Sequence, residues 1–167
     1  MTNPKPSKSA RKREFQALQS LGEQLIGLTE EQLRSMQLGE QLFDAVAAAA
    51  SIRTHGASRR QRQLIGKLMR DVDPDPIRRA LDTFQRQEKA AKALFRRAEE
   101  WRDRIVQDGH DALHEFAELT GRENGELSAL VDEYLDTGGD SGRRALHRRI
   151  FRLVHADLAA MVQNCTG

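Results

Sequence analysis

The sequence predicts an all-α fold, a small helical bundle with one long central helix and a disordered basic N-terminus. Apolar residues recur three and four positions apart along most of the chain, the spacing that places them on one face of an α-helix. The composition is 38% hydrophobic and 31% charged but only 5% aromatic, which suits a charged helical protein better than a β-sheet protein. We expect residues 1–6 to be disordered and residues 7–167 to form a single helical domain.

Four helices are predicted in the first half of the chain. The first begins at Ser7 and carries a stripe of Phe15, Leu18, Leu21, Leu25 and Leu28. The second begins at the capping box Thr29-Glu30-Glu31-Gln32 and ends near Met36. The alanine-rich segment Leu42–Ile52 favours a third. His55-Gly56 is predicted to stop it, with a basic helix following from Ala57, and one helix bent at Gly56 is the alternative.

The second half opens with Asp73-Pro74, an N-cap acid followed by a proline in the first helical turn. This signal predicts the long helix, which extends to about Gln107 and is ~50 Å long at ~1.5 Å per residue. The remaining expected elements are short helices at Ala112–Leu119 and Leu127–Leu135, a loop at Thr137–Gly142 and a last helix at Arg143–Val162. Asp157 falls on the apolar stripe of that last helix and needs a polar partner.

The basic helix is the most informative segment, because no acidic residue occurs between Ala45 and Arg70. Wound at about 100° per residue, it places Leu64, Ile65, Leu68 and Met69 on one side and Arg59, Arg60, Gln63, Lys67 and Arg70 on the other, with Arg62 on the border. A face that serves only solubility usually mixes both signs of charge. The pattern therefore indicates a polyanion partner. Gly66 favours close helix packing over a contact between its backbone and RNA.

Charge is also segregated elsewhere, although the formal net charge is only +2. The segments Lys5–Arg13 and Arg143–Arg152 are basic and contain no acid, whereas Glu115–Asp140 is strongly acidic. Cys165 is the only cysteine, so an internal disulfide is excluded and a reducing compartment is favoured. No apolar run reaches the ~18 residues of a membrane span. We expect a cytoplasmic protein with no membrane partner.

Four segments carry a resemblance to a known family. Arg59–Arg70 and the following Asp73–Asp82 resemble the pattern of the DarP (YjgA) family of bacterial ribosome-associated proteins. Ser7-Lys8-Ser9 with Lys12-Arg13, then Leu18 and Leu21-Gly22, is similar to the N-terminal helix of that family, and Arg149–Arg152 is similar to its last helix. The resemblance spans most of the chain and is most specific over residues 59–82.

The resemblance implies a small helical bundle that binds late precursors of the large (50S) ribosomal subunit and promotes maturation of the peptidyl transferase centre. It implies no catalytic site, no cofactor and no small-molecule substrate. The implied partners are large-subunit rRNA and pre-50S particles, with ribosomal proteins as further partners, and we expect a monomer. Two features depart from the family: Arg62 stands where a leucine is usual, and the acidic leader of some members is missing, so any regulation by that leader is expected to be lost.

The expected mechanism is electrostatic. Arginine and lysine side chains would contact rRNA phosphates, and Gln63 would bond a base edge or a 2′-hydroxyl. The expected rRNA-binding residues are Arg59, Arg60, Arg62, Gln63, Lys67 and Arg70, extended by Lys12 and Arg13 and by Arg148, Arg149 and Arg152. If about six to ten phosphates are contacted, affinity should fall ~10³- to 10⁵-fold between low and moderately high salt.

Aromatic stacking on single strands receives little support from the sequence. Phe95 and Trp101 lie on the apolar stripe of the long helix, which predicts core packing, and Tyr134 has no basic neighbours along the chain. Recognition of the backbone and shape of folded rRNA therefore fits better than stacking.

Three alternatives remain open. The first is a general nucleic-acid-binding helical protein that uses the same basic face. The second is a metal-dependent enzyme built on His110 and His114, although two histidines at i and i+4 are a weak motif without a third ligand. The third is an adaptor whose acidic stretch around Asp132 and Glu133 binds a protein, against the simpler interpretation of a solvated face.

Overall fold

The computed structural model describes residues 7–164, apart from the side chains of Asp140 and Ser141. The segment predicted to be disordered, residues 1–6 with Lys5, lies outside the described residues, as does Cys165. Between residues 7 and 164 the chain forms α-helices and one 3-10 turn and contains no strand. The all-α prediction is confirmed.

Eight α-helices and a 3-10 turn, η1, follow one another in the described range. They are α1 (Lys8–Leu25), α2 (Glu30–Ser35), α3 (Glu40–Ser51), α4 (His55–Leu68), η1 (Met69–Asp71), α5 (Pro74–Asp108), α6 (His110–Thr120), α7 (Gly125–Asp136) and α8 (Asp140–Asn164). The long helix expected from Asp73-Pro74 is α5, which has 35 residues.

The chain divides into two compact units, one ending at Gln85 and the other beginning at Arg86, within α5. The core of the first unit contains Leu21, Leu25, Leu33, Leu42, Ala45, Val46, Ile65, Met69, Ile77 and Leu81. The core of the second contains Ala98, Ile105, Ala112, Phe116, Leu127, Leu130, Val131, Leu146, Ile150, Val154 and Leu158. The single helical domain over residues 7–167 stays a prediction.

Local capping signals determine several helix ends. The capping box of α2 is complete, because Thr29 Oγ1 accepts from the Gln32 N–H at 3.2 Å and the Gln32 side chain accepts from the Thr29 N–H at 2.9 Å. At the start of α5, Asp73 Oδ1 accepts from the Asp75 N–H at 3.0 Å. Gly121 ends α6 with φ of 66°, a conformation that glycine adopts without strain.

Two predicted boundaries are wrong. Ile52 and Thr54 have extended backbones, with ψ of 120° and 135°, so α3 ends before His55-Gly56 and those two residues form the first turn of α4. The alternative of one bent helix through Gly56 fails for the same reason. The last helix begins at Asp140 rather than Arg143, and the Gly139 carbonyl accepts from the Arg143 N–H at 3.1 Å, which shortens the loop to residues 137–139.

Asp157, on the buried side of α8, has the partner that its position requires. The residue is 7% exposed, and Asn124 Nδ2 donates to its Oδ2 at 2.8 Å. Asn124 Oδ1 also accepts from the Leu127 N–H at 3.1 Å, so one amide both caps α7 and satisfies the buried carboxylate. Arg122 Nη1 lies 3.9 Å from Asp157 Oδ1 and adds a weaker charge contact.

Helices α1 and α4 pack closely through two glycines. A Cβ added at Gly22 would lie 2.8 Å from Ile65 Cγ2 and 3.0 Å from Met69 Cγ, and one added at Gly66 would lie 3.2 Å from Gln19 Cγ. Ile65 and Met69 are fully buried. Close packing, the role favoured for Gly66 from the sequence, is what the two glycines permit.

We expect Gly22→Ala to destabilise the first unit by about 1–3 kcal/mol, because the new methyl group overlaps two side chains that have no room to move. The steric cost of the new methyl group should exceed the ~1 kcal/mol by which alanine stabilises a helix relative to glycine. Gly56→Ala is the matched control: no atom lies within 4 Å of a Cβ there, and unfolding should be unchanged or slightly harder. Urea denaturation measures both, and a Gly22→Ala protein as stable as the parent would contradict the packing.

Candidate nucleic-acid interface

The orientation of α4 is fixed by contacts along one side of the helix. Ile65 and Met69 of the α4–η1 segment are fully buried, and Gln61 Nε2 donates to the Ala45 carbonyl of α3 at 2.7 Å. No local pattern predicts this last bond, since Gln61 lies between arginines and bonds a residue 16 positions away. Leu64, placed on the apolar side by the prediction, is 44% exposed, because it lies about 100° from Ile65 around the helix.

The side of α4 that faces away from the core carries the predicted cations. These cations and Gln63 fall within an arc of about 100° on the side opposite the buried one. All five residues are exposed, and we call them the α4 basic face: Arg59, Arg60, Gln63 and Lys67 on α4, and Arg70 on η1, which directly continues α4. Arg62 lies outside this arc, about 60° from Ile65, but its side chain is exposed as well.

The cations of the α4 basic face are not neutralised. Within the described residues, no carboxylate lies within salt-bridge distance of Arg59, Arg60, Lys67 or Arg70, nor of Arg62 beside them. Two arginines of the same unit are paired, Arg34 with Glu30 and Arg78 with Asp75, whereas Arg53 and Arg79 also have no ion pair among the described residues. The absence of nearby carboxylates leaves a concentrated positive potential, which attracts polyanions.

The basic residues of α1 and α4 meet at Arg70. The Arg70 guanidinium lies 4.3 Å from the centroid of the Phe15 ring on α1, a cation–π contact that holds the side chain in place. Lys12 precedes Phe15 by three residues and shares its face, whereas Arg13 precedes it by two and points about 160° away.

Two cations that were not among the predicted binding residues, Lys8 and Arg11, fit this face better than Arg13 does. They lie within about 40° of Phe15 around α1 and are exposed. Helical spacing from Phe15 could have identified them, but only with the knowledge that Phe15 faces Arg70.

The third basic block lies on α8, in the second unit. Arg148 and Arg152 are exposed and have no ion pair among the described residues. Arg149 lies about 60° from Arg152 around the helix, and its Nη1 lies 3.9 Å from Glu133 Oε2 of α7. Arg149 is therefore partly neutralised and differs from its two neighbours.

The pKa of His147, one turn before Phe151 on α8, is lowered by its surroundings. Burial, followed by the charge of Arg102, lowers the pKa of His147 from its ordinary value of 6.5, against the opposing effect of Asp103, whose Oδ1 lies 3.6 Å from His147 Nε2. The positive charge on this side of α8 therefore comes from arginines rather than from the imidazole.

The aromatic residues differ in part from the prediction. Trp101 is half-buried and packs edge-to-face on buried Phe116, with ring centroids 5.3 Å apart, as expected of a core residue. Phe95 is 49% exposed, so its assignment to the core is wrong; it lies about 60° from Ala98, at the edge of the stripe. Tyr134, which has no basic neighbour in sequence, lies under Arg143, whose Cζ is 5.5 Å from the ring centroid.

The histidine pair of α6 does not assemble a metal site. His110 Nε2 lies 2.8 Å from Asp132 Oδ1, while His114 Nε2 lies 3.6 Å from Glu118 Oε1, so each histidine has its own carboxylate. Over residues 7–164, His, Cys, Asp and Glu side chains nowhere gather in a group of three that could hold a metal ion. In the same range, no helix is both long and apolar enough to cross a membrane.

Comparison with known proteins identifies relatives. A protein-family model described as Dual-action ribosomal maturation protein DarP matches residues 4–155. The relative of that name from Thiobacillus denitrificans is 39% identical over 156 residues, which cover 93% of this chain and 88% of the relative.

Shorter matches to relatives of the same name are more similar. The protein from Aromatoleum aromaticum is 48% identical over 103 residues, covering 62% of this chain and 54% of the relative. The protein from Nitrosospira multiformis is 45% identical over 104 residues, covering 62% of this chain and 57% of the relative. These matches span little more than half of the relatives' length.

We expect the double variant Arg59→Glu/Arg60→Glu to fold as stably as the parent, within about 0.5 kcal/mol per substitution, because both side chains are exposed and have no described partner. Urea denaturation followed by circular dichroism measures this. A loss of more than about 2 kcal/mol would mean that these arginines support the fold, and they would then be poor candidates for a binding surface.

Proposed function

Because this chain belongs to the DarP family of ribosomal maturation proteins, we propose that it is a ribosome maturation factor that associates with late precursors of the large (50S) ribosomal subunit. In this proposal it binds rRNA through the α4 basic face and promotes maturation of the peptidyl transferase centre. The observation that carries the proposal is the set of exposed cations on α4 that have no carboxylate partner in the described chain.

The proposed action is binding rather than chemistry. Arg59 and Arg60 present planar guanidinium groups that can bond two phosphate oxygens at once, and Lys67 supplies a point charge between them and Arg70. Gln63 lies within the same arc, and its side chain has no hydrogen-bond partner among the described residues. Its amide can therefore bond a base edge or a 2′-hydroxyl, the group that distinguishes RNA from DNA. No step of this proposal requires a cofactor, a metal or a catalytic residue.

The neighbouring cations extend the proposed surface unequally. Lys12, with Lys8 and Arg11, continues the α4 basic face beyond the Arg70–Phe15 contact, whereas Arg13 faces elsewhere. Arg148 and Arg152 provide a second basic surface on α8, and Arg149 contributes less because Glu133 is close. We propose that the protein acts as a monomer in the cytoplasm, with ribosomal proteins as secondary partners.

We expect the protein to sediment with large-subunit precursors when lysate is separated on a sucrose gradient at low salt, and to leave them at higher salt, because phosphate contacts release counterions. Arg59→Glu/Arg60→Glu should abolish the association. The matched control is Arg34→Glu/Arg78→Glu, which changes the net charge equally at two ion-paired arginines of the same unit and should leave it intact. Sedimentation at the top of the gradient in every condition would refute the proposal.

The alternative is a general nucleic-acid-binding helical protein that uses the same α4 basic face. A competition binding experiment distinguishes it from the proposed maturation factor. A maturation factor that reads A-form geometry and 2′-hydroxyls should prefer structured rRNA fragments to duplex DNA of equal length, whereas a general binder should prefer neither. Equal displacement by both competitors would favour the alternative.

A salt titration of the same complex counts the contacts made by single side chains. Lys67→Ala should reduce the slope of log affinity against log salt by about 0.7–0.9, the value for one phosphate contact. Lys92→Ala, at a lysine paired with Glu88, should leave the slope unchanged. Equal slopes for the Lys67→Ala variant and the parent would remove Lys67 from the interface.

A further inference from the structure

A cleft in the second unit combines exposed aromatic rings with arginines. It lies between α8 and the part of α5 that follows Arg86, and its volume is about 540 Å³. Its walls include Phe95 and Arg102 from α5 and Phe151, Arg148 and Arg152 from α8. From the sequence, Phe95 is expected in the core and the arginines on a phosphate-binding surface, so the pattern does not predict this combination.

Phe95 and Phe151 form the aromatic side of the cleft, where they contact neighbouring rings while Phe95 stays half exposed. The ring centroids of Phe95 and Phe151 are 4.9 Å apart with planes tilted by 60°, and the Phe151 centroid is 5.8 Å from that of His155. The Arg102 Cζ lies 5.6 Å from the centroid of the Phe151 ring, and Arg102 forms an ion pair with Asp103. These two contacts hold the Arg102 side chain at this side of the cleft. Phe95 is 49% exposed despite these contacts, so an aromatic surface remains for another flat group.

The charge beside this wall favours an anionic partner. Arg148 and Arg152 flank Phe151 in sequence and are separated by one helical turn, with their Cβ atoms ~6 Å apart. Both are exposed and neither has an ion pair within residues 7–164. The flat apolar face is therefore bordered by guanidinium groups, whose charge does not vary near neutral pH.

We propose that this cleft holds an unpaired RNA base, stacked on Phe95, while Arg148 and Arg152 contact the phosphates on either side of that nucleotide. Aromatic platforms next to cations are the usual means of binding single-stranded nucleic acid. An acidic peptide would satisfy the arginines but would leave the ring face without a planar partner. The inference rests on the proposed function for its RNA partner, and adds that unpaired rRNA is bound by a surface separate from the α4 basic face.

Fluorescence anisotropy with the full chain tests the proposal. The probes are a labelled twelve-nucleotide oligoadenylate, the same strand with abasic sites at its central positions, and a labelled RNA duplex. The abasic strand keeps every phosphate and removes only the stacking group, so weaker binding of this strand measures stacking directly.

We expect Phe95→Leu to weaken binding of the oligoadenylate by about 5- to 150-fold, the range for loss of one base–aromatic stack. Phe95→Tyr should restore it, because the ring is retained. Binding of the duplex should be unchanged, because its bases are already paired. Leu119→Ala, at another exposed apolar residue of the second unit, is the control for loss of apolar surface and should have no effect.

Equal binding by Phe95→Leu and the parent, or equal binding of the abasic and intact strands, would overturn the proposal. Displacement of the oligoadenylate by polyglutamate from the parent, but not from Phe95→Leu, would overturn it in favour of a protein partner. Gradient sedimentation of Arg59→Glu/Arg60→Glu tests the proposed function separately. If the parent protein stays at the top of the gradient in every condition while the Phe95 effect is intact, the ribosomal role is refuted and the stacking site remains.

Discussion

The first unit depends on the close packing of α1 against α4. Two glycines, Gly22 and Gly66, allow the helices to approach until Ile65 and Met69 are fully buried. Burial of these side chains fixes the rotation of α4, and that rotation turns its charged arc to the outside. The basic surface is therefore a consequence of a packing constraint, because a larger side chain at either glycine would separate the helices or rotate one of them.

Leaving the arginines of this surface unpaired costs little stability. Exposed ion pairs contribute only about 0–1 kcal/mol, so the fold loses little when Arg59 or Arg60 has no acidic neighbour. The acidic residues lie elsewhere, many of them on α6 and α7, where Asp132 lies beside His110 and Glu133 beside Arg149. The placement of these charges therefore has little effect on the stability of the fold, but it does affect binding.

Much of the fold could be predicted because helix ends are local. The Thr29 capping box, Asp73-Pro74 and Gly121 each determine a boundary through bonds or backbone angles within four residues. His55-Gly56 failed as a stop signal because glycine is also tolerated in a first turn. The cations of α4 could be predicted from periodicity, whereas the contacts of Arg149 with Glu133 and of Gln61 with the Ala45 carbonyl depend on tertiary packing, which no local pattern records.

Phe95 shows why the edge of an apolar stripe is the least predictable part of a helix. The neighbouring Ala98 is fully buried, whereas Phe95, about 60° away, is half exposed, and only the position of α8 decides between the two outcomes.

The exposure of Phe95 matters for the release of RNA as well as for its binding. In the proposed complex, maturation of the RNA itself weakens binding. A stacked base is available only while it is unpaired, and once it joins a helix the stacking contact is lost and only the phosphate contacts of the basic surfaces remain. A factor that combines both kinds of contact therefore binds unfinished RNA more tightly than finished RNA without any chemical step.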